Sequence, residues 1–221
     1  MRSHFILGAA CALALQVHAQ SVQPTHYDMT NGYGTASGGS FNYWDGSYSG
    51  MGNPQQDFSA LSGGTGDLTD GLIASDNWHL VENLEGTGPY VGWRDIDPVI
   101  TFHFAEPRQF QSLTVHFDDA NGFGNVATPD SLSVTLGGST VSLLLADPDA
   151  GQPGMATLSL VGTPAAQVLT LQLFRRDSGV FVSEVQFDAL PVPEPQAWAL
   201  WTLGLAGLGV AARRRAGHPA R

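Results

Sequence analysis

The sequence predicts an all-β fold: a single antiparallel β-sandwich of the jelly-roll kind. Two observations lead to it. Seven short segments rich in β-branched and aromatic residues follow one another between residues 99 and 187, and most alternate apolar with polar positions. No amphipathic helical period interrupts them. Many short strands in one domain pack best as two facing sheets.

In chain order the expected strands are VITFHF (99–104), SLTVHF (112–117), SLSVTL (131–136), TVSLLL (140–145), ATLSLV (156–161), QVLTLQLF (167–174) and VFVSEVQF (180–187). Gly137-Gly138 between two of them is a hairpin signal. ADPDAGQPG (146–154) reads as a loop. Upstream, 21–66 is rich in Gly, Ser, Asn and aromatics, with one or two short strands expected around 41–44. Residues 63–98 read as loop, carrying aspartates and tryptophans. These signals place a flexible N-terminal segment at 20–39 and the sandwich at 40–190.

The two ends are unlike the middle. Arg2, an apolar run over 5–15 and the small-residue site Val17-His18-Ala19 form a secretory signal peptide over 1–19. The one cysteine, Cys11, lies inside it, so a mature chain would have neither disulfide nor thiol nucleophile. At the other end, 197–212 is apolar on every side, is flanked by Trp198 and Trp201, and is followed by Arg213, Arg214 and Arg215. That pattern predicts a transmembrane helix with a positive-inside end.

Between Gln20 and Glu194 there are 20 acidic residues against four arginines, a net −16. A surface this acidic excludes nucleic acid as a partner, because phosphate binding needs cations. Dense carboxylates suit a hard cation such as Ca²⁺, or serve solubility. The chain has no lysine, which excludes a Walker A motif and Schiff-base chemistry.

Pro193, Glu194 and Pro195, the apolar helix and the arginine cluster together resemble the PEP-CTERM sorting signal of Gram-negative bacteria. The resemblance covers 192–215, within a tail segment placed at 191–221. It implies a chain that is exported, held briefly in the membrane by this helix, processed by the membrane enzyme exosortase, and released to the cell surface or the extracellular matrix.

A second resemblance covers more of the chain. GDLTDGLIASDNW (66–78), Trp93 followed by the 99–104 strand, and VSEVQF (182–187) resemble, in that order, motifs of the discoidin-like, galactose-binding-like domains. The resemblance implies an eight-stranded jelly roll and a structural Ca²⁺. Carried over by position, its ligands are the carbonyls of Asp67, Leu72 and Ser183 and the carboxylates of Asp70, Asp76 and Glu184. The alternative is a plain Asx-turn at Asp70-Gly71. The resemblance also suggests a glycan site, with Tyr90, Trp93, Arg94 and Phe123 as candidates. Tyr90 and Phe123 are the rings expected at the surface, and Trp93 is either a core ring or part of this set.

No catalytic residues are expected. Asp118-Asp119 and Asp95-Asp97 are the nearest approach to a glycosidase pair, and such spacing is common in turns. No Gly-x-Ser-x-Gly or His-Glu-x-x-His motif occurs. The reading is a non-enzymatic, exported protein associated with exopolysaccharide. The alternative is a secreted hydrolase acting on matrix polysaccharide.

Overall fold

The computed structural model describes residues 18–34, 41–148 and 151–191, together with Gly204 and Leu208. Residues 1–190 form one unit and 191–221 a second. The signal peptide up to residue 17, the sorting residues 193–195 and the arginines 213–215 lie outside the described residues. Among the described residues no helix is long and apolar enough to cross a membrane.

The first unit is a two-sheet sandwich. Its strands are β1 (Gln20–Val22), β2 (His26–Thr30), β3 (Ala60–Gly64), β4 (Val91–Arg94), β5 (Val99–Arg108), β6 (Phe110–Phe117), β7 (Ser131–Leu136), β8 (Ser139–Leu144), β9 (Gly154–Ser159), β10 (Ala166–Phe174) and β11 (Gly179–Ala189). One sheet runs β1-β11-β6-β9, with β4 also paired to β11. The other runs β3-β2-β5-β10-β7-β8. Every pairing between these strands is antiparallel.

All seven expected strands form, with ends shifted by a few residues. The hairpin between β7 and β8 turns on Gly137 and Gly138, both with positive φ (53° and 79°). A type I′ turn demands this at both central positions.

Three expectations fail. Residues 63–98, read as loop, contain the end of β3, a 3-10 turn at Asp67–Thr69, a helical turn at Trp78–Val81 and β4. The segment 20–39 contains β1 and β2, which pair in register with β11 and β5, so its first half is sheet rather than flexible chain. Residues 41–44 form no strand. Their backbone is tied instead to a loop and to β4, with the Asn42 N–H donating to the Asn83 carbonyl and the Gly92 N–H of β4 to the Tyr43 carbonyl.

The core lies between the sheets. Phe102 and Phe104 from the six-stranded sheet meet Phe187 from the five-stranded one, with ring centroids 4.8 and 5.2 Å apart. Edge-to-face contacts of this kind contribute beyond their buried area. Trp93 is fully buried in this core, and its indole N–H donates to the Thr30 carbonyl at 2.7 Å.

A second, smaller cluster covers the outer side of β4 and β11. Tyr33, Tyr43, Trp78, Tyr90 and Phe181 pack there. Phe181 alternates with Val180 and Val182, which face the main core, so the period of two puts it on the other face. The loops thus form a partial third layer. On the outer face of the six-stranded sheet, Thr101, Thr170, Thr135 and Thr140 lie in one row across four strands.

Candidate functional site

The site begins with an irregularity in β11. Its register against β6 slips between Val182 and Glu184, so Ser183 is a bulged residue. The core-facing phase changes there, from Val180 and Val182 to Val185, Phe187 and Ala189. Ser183 and Glu184 both leave the core face. Re-aiming a side chain is what a bulge does.

Glu184 points to the loop that follows a 3-10 turn at Asp67–Thr69, which lies against β11. The Gly71 N–H donates to Glu184 Oε2 at 3.1 Å. Asp70 Oδ1 accepts the Leu72 N–H at 2.8 Å, the Asx-turn expected of Asp-Gly. Glu184 is 1% exposed, and its Oε1 has no hydrogen-bond partner. Burial, and then the charge of Asp70, push its carboxyl up to about 7, against the pull of the Gly71 N–H.

Of the six expected calcium ligands, the geometry thus brings the Asp70 and Glu184 carboxylates to one junction, with Asp67, Leu72 and Ser183 on the flanking backbone. Asp76 has other partners. Its Oδ1 accepts the Asn77 N–H at 2.9 Å, its carbonyl accepts the Tyr90 hydroxyl at 3.0 Å, and its charge acts on Asp118. The orphaned buried oxygen of Glu184 and the Asp70 carboxylate beside it fit a hard divalent cation.

The acids extend inward from this junction. Asp45 Oδ1 accepts the Asp67 N–H at 2.9 Å, and its Oδ2 accepts the Tyr27 hydroxyl. Burial raises both carboxyls, and each acid in the chain Asp45, Asp67, Asp70 raises the one before it. Farther along, burial lifts Glu82 to about 8 and Asp118 to about 7. Backbone N–H groups of Tyr90 and Trp78 hold one oxygen of each.

Next to the junction opens a cleft of about 490 Å³. Asp67, Asp70 and Leu72 form one wall, the 85–89 loop another, and Asn42, Trp44 and Ser47 a third. Trp44 is half-buried. Its ring packs against Gly34, where a β-carbon would come within 2.1 Å of it, and its Nε1 donates to Asp57 at 2.7 Å. Gly34 and Asp57 therefore hold the indole along its N–H side.

The four residues expected to bind glycan do not converge. Tyr90 is 1% exposed and lies in the outer aromatic cluster, so it offers no surface ring. Trp93 is a core residue. Arg94 lines a different depression, with Phe58 and Asp95. Phe123 is exposed and stacks beside Trp78 and His79. Trp44 was legible only as an aromatic in a turn-rich stretch, since nothing local shows that its far side is open.

The carboxylate pairs considered for hydrolysis lie away from the cleft. Asp118 and Asp119 are buried. Asp95 and Asp97 both face Arg175, at 3.7 and 2.9 Å. Neither pair lines the cleft.

Residues 25–189 match the family described as discoidin domain-containing receptor 1/2, DS-like domain. The chain belongs to that family. Its DS-like domain therefore starts within the segment expected to be flexible. Residues 191–215 match the PEP-CTERM protein-sorting motif. No curated protein matches the chain.

Several solved structures resemble the DS-like domain in fold. The F5/8 type C domain of a Bacteroides fragilis protein is 10% identical with a TM-score of 0.43, over 79% of this chain and 98% of that one. The family 32 carbohydrate-binding module of C. perfringens NanJ, in complex with galactose, is 9% identical with a TM-score of 0.32, over 45% and 75%. A family 32 module from a C. perfringens family 31 glycoside hydrolase is 11% identical with a TM-score of 0.33, over 47% and 78%.

Proposed function

We propose that this is an exported, non-enzymatic surface or matrix protein. Its tail is the substrate of exosortase, and its DS-like domain binds glycan in the cleft beside Trp44. The observation that carries the glycan reading is the cleft itself. The Trp44 indole, fixed along its N–H side by Gly34 and Asp57, lines the cleft together with the polar groups of Asn42, Gln55, Asp70, Glu85 and Thr87. Sugar sites combine an aromatic face with a few such groups that fix hydroxyls.

In the same reading Ca²⁺ sits at the Asp70–Glu184 junction. The carbonyls of Asp67, Leu72 and Ser183 complete its shell, and Asp76 is the outlying member. When bound, the ion would supply positive charge between the 67–72 loop and β11. Asp67, Asp70 and Leu72 also wall the cleft, so the ion would fix that wall. The role is structural.

The leader over 1–19 and the apolar stretch 197–212 give the route: export, a transient membrane anchor, then release. Exopolysaccharide is the glycan such a route makes available.

Binding of the isolated protein to its host's extracellular polysaccharide tests the reading. Trp44→Ala should weaken binding roughly fivefold or more, since loss of one stacked ring costs about 1 kcal/mol or more. Unchanged binding would place the site elsewhere. Release of reducing sugar from that polysaccharide would favour the hydrolase instead.

A further inference from the structure

We propose that His26, Asp28 and His103 form a zinc site on the outer face of the six-stranded sheet. The register of β2 against β5 sets His26 opposite His103. Asp28 is two residues along β2, so its side chain emerges on the same face. One ligand atom from each residue lies within 4.8 Å of the others, and all three residues are half-buried. Among the described residues, no other group of three His, Asp or Glu side chains comes so close.

Two of the ligands, His26 and Asp28, are held from behind. The Thr25 hydroxyl donates to the His103 carbonyl at 3.0 Å and lies 3.0 Å from His26 Nδ1. A hydroxyl has one proton to give. With that proton on the carbonyl, the contact to His26 requires the proton on Nδ1, which leaves Nε2 with a free lone pair. Asp28 Oδ1 accepts the Gly63 N–H at 2.9 Å, which leaves Oδ2 directed to His103 Nε2, 2.9 Å away. Outer partners of this kind orient metal ligands and fix their tautomers.

Two imidazoles and one carboxylate suit zinc, whereas magnesium and calcium prefer oxygen alone. The set leaves a fourth, solvent-facing position for water or an outside ligand. The rings now stack, with centroids 4.3 Å apart and planes 9° from parallel. A single ion cannot lie in the plane of both. Zinc would therefore tip one ring and draw the ligand atoms to about 3.3 Å from one another. Binding at Nε2 also requires the proton between His103 Nε2 and Asp28 to leave: a neutral His103 carries it on Nδ1 instead, and an imidazolium keeps its Nδ1 proton and gives this one to solvent.

Zinc titrated into the full chain tests this, followed by calorimetry and by ¹⁵N resonances of the imidazoles. One equivalent should bind and shift His26 and His103, while His79 and His116 stay in place. Equal magnesium should move neither pair. His26→Ala and His103→Gln should each weaken binding by more than roughly tenfold, and Thr25→Val by about tenfold through loss of the tautomer lock. Resonances of His26 and His103 that ignore zinc would overturn the site, and they are read on the unaltered protein. So would an affinity unchanged in both histidine variants.

Discussion

Glu184 carries its charge in a place that resists it. It is buried, one oxygen is unpartnered, Asp70 stands beside it, and no lysine exists anywhere in the chain to offset it. Calcium at a hundredfold excess over its Kd should therefore stabilise the fold by about 2.7 kcal/mol. Melting curves in calcium and in chelator check this, and Glu184→Gln should abolish the difference while the sandwich still folds. Coincident curves for the unaltered protein would reduce Asp70-Gly71 to a turn. The pH dependence follows from the same residue and its neighbours. Glu184, Asp118 and Glu82 take their protons at about 7, 7 and 8 in the fold, against about 4 in an unfolded chain. Near pH 4 and below, both states are protonated and the stabilising contribution is complete. As pH rises toward 8, the unfolded chain gives up its protons first, and that stability is lost. Without calcium, melting temperature should fall between pH 5 and pH 8. With calcium the fall should be shallower, because the ion favours the ionised Glu184.

Among the elements, the β7–β8 hairpin isolates one backbone requirement. A β-carbon on Gly138 meets nothing, yet φ is +79°, so Gly138→Ala tests conformation without a clash. It should cost about 1–2 kcal/mol in chemical denaturation, and Gly138→Asn less. This hairpin was legible because Gly-Gly between alternating segments states its own geometry. β1 to β4 were not legible. HYDMT and ALSGG carry little β-branched content, and their pairing with distant strands makes them sheet. The Asp-Gly loop and the glutamate of the last strand were legible through motif order, while the bulge at Ser183 that brings them together is a matter of register. Tyr90 misled for a related reason. Gly88-Pro89 marks a turn, and turns are usually exposed, but an aromatic layer over β11 covers this one.

At the scale of the whole molecule, two parts are distinct: the sandwich ends with β11 at Ala189, and residues 191–215 match the sorting motif. Deleting residues 193–195 should leave an exported chain that is unprocessed and stays with the membrane fraction, as mass spectrometry of fractionated cells would show. Release at the normal mature mass would mean that processing does not read the motif. Domain function should survive the deletion, because none of the residues that line the cleft or the Glu184 junction lies beyond β11.

β11 also sets a timetable. It pairs with β1, β4 and β6, so the five-stranded sheet is organised around it, yet it is the last strand to leave the ribosome. Until residues 179–189 emerge, β1 and β4 have no pairing partner and β6 has only β9. Contacts between Gln20 and Ala189 span nearly the whole domain, and such long-range closure is slow. The nascent chain consequently remains an unclosed half-sandwich for almost all of its synthesis. A threading machine that rejects closed domains would meet this one before its two sheets have shut.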